Sequence, residues 1–130
     1  MAHGHDGSRR SAMKSCRDFQ GIYFHREPVD MRKGINGLCD VVSSSEMGPL
    51  QGKNLFVFVG GRRDLMKILY FDESGFAIWM KRLERDRFPW PKKLTEQVVT
   101  LTSQQLEWLL QGVDIWRLKS FKQITFEKTG

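Results

Sequence analysis

Only two cysteines occur in 130 residues, Cys16 and Cys39, in unlike surroundings. That is too few for a disulfide-stapled scaffold, and a reducing cytoplasm is the expected compartment. No stretch approaches the ~20 consecutive apolar residues of a membrane span, and no apolar h-region follows the first residues. Heptad and collagen periods are lacking as well, which excludes coiled-coil and collagen-like fibres. Histidines number three and prolines four. The phosphate-cradling and nucleophile motifs GxxxxGK[ST], GxGxxG, GxSxG and HExxH do not occur, so no cofactor site is expected. What remains is an ordinary globular composition, 40% hydrophobic and 28% charged. The length suits one domain with one core, not a large multidomain enzyme.

Acidic groups are also in short supply. Twenty-one Lys and Arg face 15 Asp and Glu, a formal charge of +6 and a pI near 9.6. The excess is uneven. Residues 1–34 carry seven bases and four acids, and residues 62–93 carry nine and five. Residues 35–61 (one and two) and 94–130 (four and four) add no positive charge. The densest stretch, KRLERDRFPWPKK (81–93), interleaves bases with Phe88 and Trp90. Clustered bases with interleaved aromatics form the electrostatic footprint of a nucleic-acid binder. A solvated sheet edge uses the same residues to block edge pairing, so composition leaves both readings open.

Residues 1–15 have no apolar period and are expected to form a disordered tail. His3 and His5 lie there without the Cys or carboxylate companions that a metal site needs. The domain is expected over 16–118, with 119–130 a C-terminal tail holding at most one more strand. FQGIYFH (19–25) has strand composition. Asp30 is placed to cap a helix whose apolar stripe is Met31, Ile35, Leu38 and Val42. Gly34 and Gly37 each cost such a helix up to ~1 kcal/mol relative to Ala. NLFVFVG (54–60) is an unbroken apolar run that calls for burial on both faces. LMKILYFD (65–72) and FAIWMKRL (76–83) follow after short connections, with Gly75 suited to the hairpin turn, and this spacing predicts an antiparallel meander. FPWP (88–91) ends the sheet or confines the chain to an edge. EQVVTL (96–101) reads as a further strand. In LTSQQLEWLLQG (101–112), Thr102 and Gln105 make a capping box and Leu101 with Leu106 a hydrophobic staple. Leu106, Leu109, Leu110 and Val113 share one face, and Gly112 followed by Val113 fits a Schellman stop. The fold class is α+β: a mainly antiparallel sheet with two packed helices.

Candidate chemistry falls on few residues. His25, Glu27 and Asp30 can be drawn as a metal-dependent nuclease set, since His25 and Glu27 share a strand face. Polar groups at a strand–helix junction also serve simply to cap and solvate. Asp64 and Asp72 bracket one strand, roughly 25 Å apart when extended, too far for a two-metal site. Arg32 and Lys33 fall in the expected first helical turn, where cations oppose the macrodipole but help a phosphate cradle; Asp30 can equally offset them. Arg62 and Arg63 occupy a Gly-flanked turn able to reach phosphates or merely to keep a loop soluble. Lys81, Arg82, Arg85 and Arg87 with Trp90 make the third group. Trp90 can stack on a base, although packing on the sheet is the commoner use of such a ring.

FHREPVDMRKGINGL (24–38), LFVFVGGRRDLMKILYFDESGFAIWMKRLERDRFPWP (55–91) and LTSQQLEWLLQGVD (101–114) occur in this order. Together they closely resemble the small TnpB-type accessory proteins of the insertion sequence 66 group of bacterial transposable elements. The resemblance spans roughly residues 20–116. The long RNA-guided nuclease that shares the TnpB label is a different protein, with a carboxylate core that this chain lacks. The resemblance implies a non-catalytic helper of DNA transposition, encoded beside a large transposase. Its expected partners are duplex DNA at the element ends, the transposase, or both, and its expected setting is the cytoplasm at the nucleoid. The basic positions matching the family are Arg32, Lys33, Arg62, Arg63, Lys67, Lys81, Arg82, Arg85 and Arg87. Family members often carry a third base before the arginine pair, where this chain has Gly61. Two alternatives stay open: a protein-interaction module that meets the transposase without touching DNA, and the small nuclease using His25, Glu27 and Asp30.

Overall fold

A computed structural model describes residues 19–118. Its elements are β1 (Gly21–His25), α1 (Ile35–Ser44), β2 (Asn54–Val59), β3 (Leu65–Asp72), β4 (Gly75–Arg82), β5 (Val98–Thr100), α2 (Ser103–Leu110) and a 3-10 turn (Ile115–Arg117). The five strands form one sheet in the order β4-β3-β2-β1-β5. β2, β3 and β4 are the predicted antiparallel meander. β5 pairs antiparallel with β1, whereas β1 pairs parallel with β2. A parallel pair requires a crossover connection, and α1 supplies it. The fold is α+β, with helices on both faces of a mostly antiparallel sheet.

The unbroken apolar run of β2 is explained by this sandwich. Its six residues are all buried. Alternation sends Leu55, Val57 and Val59 to the face covered by Leu106, Leu109, Ile115 and Trp116, and Phe56 and Phe58 to the face covered by Leu38 and Val42. Truncating Phe56 or Phe58 to Ala would remove a fully buried ring from the centre of the sheet, at a cost of ~3–5 kcal/mol.

α1 begins later than its apolar spacing suggests. The N-cap is Gly34, not Asp30, and no side chain caps the helix. Residues 29–33 are instead strapped to the sheet. The Val29 N–H donates to the Val59 carbonyl at 3.0 Å. Met31 lies so close over Gly60 that a Cβ there would stand 2.5 Å from its Cγ. With this segment held as a turn, Asp30 accepts the Arg32 backbone N–H at 2.9 Å. Of the stripe, only Leu38 and Val42 are buried, and Ile35 stays 39% exposed.

The β3–β4 hairpin also departs from expectation. Glu73, at φ 54, takes the left-handed conformation, while Gly75 pairs in register with Asp72. α2 follows its sequence signals closely. Thr102 Oγ1 accepts the Gln105 N–H at 3.1 Å, and Gln105 Oε1 accepts the Thr102 N–H at 2.8 Å. Gly112, at φ 86, lets its own N–H reach Leu109 and the Val113 N–H reach Trp108, a Schellman stop. Val113 lies beyond the helix and is exposed, not part of its apolar face. The expected tails, 1–15 and 119–130, lie outside the described residues.

Candidate nucleic-acid interface

Strand direction decides which loops meet. β1, β2 and β4 run one way and β3 and β5 the other, so segments 26–34, 60–64 and 83–97 all emerge at one end of the sheet. Hydrogen bonds tie them together. The Phe88 N–H donates to the Arg63 carbonyl at 2.6 Å, and the Leu83 N–H to Asp64 at 2.7 Å. The Arg26 N–H reaches the Gln97 carbonyl at 2.9 Å, and its guanidinium Nε–H reaches Glu96 at 2.9 Å. These three segments hold nine bases and six acids. At the opposite end, segments 45–53, 73–74 and 101–102 hold one base, Lys53, and two acids, Glu46 and Glu73. The domain is therefore electrically polarised along its strands.

The nine family-matching cations divide into two kinds. Arg62, Arg85 and Arg87 are exposed and Arg63 is half-buried. Among the described residues none of the four has an ion-pair partner. Arg63 sits at φ 63, and its carbonyl is held by Phe88, which fixes the backbone of this turn. Lys33 is exposed at the same end of the sheet, with its side chain lying along Gly37.

The remaining cations are engaged. Arg32 forms a two-pronged pair with Asp30, Nε to Oδ1 at 3.1 Å and Nη2 to Oδ2 at 2.8 Å. The Arg32 side chain and backbone hydrogen bonds hold the Asp30 carboxyl well below the usual carboxylate range, and Asp30 in turn raises Arg32. Because Arg32 and Lys33 precede α1, they do not sit in its first turn, and the macrodipole argument does not apply to them. Lys67 donates from Nζ to the carbonyls of Met31 at 2.7 Å and Lys33 at 2.9 Å, stitching the strap to β3. Lys81 Nζ donates to the Leu110 carbonyl at 2.8 Å, at the C-terminus of α2, where a cation complements the free carbonyls. Arg82 Nε lies 3.1 Å from Glu84. Alternation along β4 also sends Lys81 and Arg82 to opposite faces, so they cannot line a single basic face. Trp90 is half-buried against the core, 6.3 Å from Phe24 and edge-on to it.

The His25–Glu27–Asp30 set does not assemble. His25 is buried, with Nδ1 2.8 Å from the Glu27 carbonyl and Nε2 3.1 Å from Ser45 Oγ. Glu27 is exposed beside Arg26, and Asp30 is committed to Arg32. Among the described residues, no group of three His, Cys, Asp or Glu could hold a metal. No described helix is long and apolar enough to cross a membrane. Lys92 and Lys93, counted in the basic stretch 81–93 but not among the named contact residues, belong to the same end of the sheet, as does Arg26, which only strand direction places there.

A family model described as IS66 Orf2 like protein matches residues 20–120. Among curated proteins, uncharacterized protein y4hO of Sinorhizobium fredii (strain NBRC 101917 / NGR234) is 39% identical over 90 residues, 68% of this chain and 76% of the relative. Uncharacterized protein y4jC of the same strain is 31% identical over 93 residues, 72% of this chain and 79% of the relative. No solved structure matches. The family match takes in every strand and helix described above, and the chain belongs to the IS66 Orf2-like family of insertion-element accessory proteins.

Proposed function

We propose that this accessory protein binds duplex DNA at the ends of its insertion element, through phosphate contacts made by the basic end of the sheet. The observation that carries the reading is the convergence of Arg62, Arg63, Arg85 and Arg87, none with an ion-pair partner among the described residues, on segments tied by Phe88 and Leu83. Guanidinium groups present fork-like donors that match phosphate oxygens, and a fixed turn lowers the ordering cost of using them. Lys33 and Arg82 flank this group, and Arg32 joins it only if phosphate competes with Asp30. Lys67, Lys81 and Trp90 act in the scaffold. The role is non-catalytic, exercised in the cytoplasm at the nucleoid, with strand chemistry left to the transposase.

Duplex binding measured against salt tests this. Arg62→Ala/Arg63→Ala and Arg85→Ala/Arg87→Ala should each weaken affinity for all sequences alike and lower the salt slope by about one for every phosphate no longer neutralised. Unchanged affinity and slope would refute phosphate binding at these positions. One observation favours a second reading, in which the same end docks on the transposase. Glu84 and Asp86 alternate with Arg82, Arg85 and Arg87, and a mixed-charge surface suits a protein partner. Retention by the transposase without retention on DNA would select it.

A further inference from the structure

We infer that β4 is a dimerisation edge, pairing antiparallel with β4 of a second copy to make one continuous ten-stranded sheet. β4 lies at the margin of the sheet, and among the described residues it pairs only with β3. Its eight residues run in unbroken register from Asp72↔Gly75 to Leu65↔Arg82. Natural edges are blunted by shortness, proline, bulges or inward charge. The far edge is protected this way, β5 being three residues long. β4 has none of these devices between Gly75 and Met80. Its side chains there are apolar, with Phe76 and Ile78 half-buried on one face and Trp79 half-buried on the other. Met80, on the face of Phe76 and Ile78, is 57% exposed.

Charge selects a second copy as the occupant. The C-terminal end of β4 carries Lys81, whose ammonium is held by the Leu110 carbonyl, and Arg82, whose exposed guanidinium also pairs with Glu84, and the hairpin at its N-terminal end carries Asp72 and Glu73. Neither acid has an ion-pair partner among the described residues. A strand polarised in this way is complementary to itself only when antiparallel, because a two-fold axis sets the basic end of each copy against the acidic end of the other. Preserving the faces of the sheet requires facing residues of like parity. With Ile78 on the axis, Met80 then lies against Phe76 of the second copy, and Arg82 lies opposite Ser74, next to Glu73. Lys81 falls opposite Gly75, and no like charges face each other between Gly75 and Arg82. The inference does not depend on DNA binding.

Sedimentation velocity over a range of concentration, with hydrogen exchange of β4, tests it. The wild-type protein should show a monomer–dimer equilibrium, and the β4 amides not bonded to β3 should gain protection as dimer forms. Exposed Met80 tolerates Met80→Lys, which should weaken the dimer about tenfold or more. Glu73→Lys and Arg82→Glu should each weaken it, and the double variant should recover it. A monomer at every concentration overturns the inference, as does a dimer indifferent to Met80→Lys or a charge pair that shows no recovery. Protected β4 amides in a monomer would assign the edge to another segment of the same chain, which also overturns it.

Discussion

Replacing Lys67 by Met separates a lysine that holds the fold from arginines that are free to bind. The substitution keeps the apolar stem and deletes two charge-assisted hydrogen bonds, to the carbonyls of Met31 at 2.7 Å and Lys33 at 2.9 Å. Hydrogen bonds to charged groups contribute ~1.5–3 kcal/mol each. The full sum is not expected, because the Lys33 carbonyl belongs to an exposed residue that water can reach, and a half-buried ammonium forfeits some hydration in the wild type. A net loss of about 1–3 kcal/mol remains. Urea denaturation should show a lower midpoint at unchanged slope, and the thermal midpoint of a domain this size should fall by roughly 5–15 °C. Where both proteins are folded, the salt slope for duplex binding should stay at the wild-type value. Stability within about 0.5 kcal/mol of wild type would refute the strap. A slope lower by about one would show that the Lys67 ammonium reaches a phosphate after all.

The Asp30–Arg32 pair gives the opposite kind of variant. Asp30→Asn should release the Arg32 guanidinium, raising duplex affinity and steepening the salt slope, and filter binding showing no change would contradict this. Because Asp30 titrates below the ordinary carboxylate range when folded, the pair's contribution to stability is complete above the unfolded value near 4 and is lost as pH falls through the lower folded value. Carboxyl NMR should therefore find Asp30 still ionised at a pH below the ordinary carboxylate range. Thr102→Ala removes the capping box of α2 and should cost ~1 kcal/mol in chemical denaturation, with a loss below a few tenths arguing that packing alone starts the helix. Burial, with Asp40 nearby, pushes the Cys39 thiol up, so alkylation of the folded protein near pH 8 should be slower than in denaturant; equal rates would contradict the placement.

Legibility followed the range of the determining contact. The meander and α2 were readable because hairpin spacing, the Thr102–Gln105 box and the Gly112 stop all act within a few residues. The start of α1 was not readable. The apolar spacing of Met31 with Ile35 is compatible with a helix, but Met31 is recruited to cover Gly60, and Val29 is bonded to Val59. Lys67 and Lys81 looked like members of a basic patch because their acceptors lie 34, 36 and 29 residues away in sequence. One signal was present and unused: adjacent residues on a strand face opposite ways, so Lys81 and Arg82 could never have shared a surface.

The basic end itself rests on one topological choice. Arg62 and Arg63 follow β2, and Arg85 and Arg87 follow β4, which runs parallel to β2 across the meander. Their convergence was thus implicit in the predicted hairpins. The segment holding Arg26, Arg32 and Lys33 joins them only because β1 lies parallel to β2. Had β1 paired antiparallel, that segment would emerge at the end where Glu46 and Glu73 sit, and the charge asymmetry between the two ends would shrink. Hydrophobic pattern does not distinguish the two pairings, since β1 and β2 are almost wholly buried either way. Length does bear on it. The 28 residues between His25 and Asn54 exceed what a hairpin needs and suffice for a helical crossover. The electrostatics of the candidate interface therefore follow from the length of a connection as much as from the cations it carries.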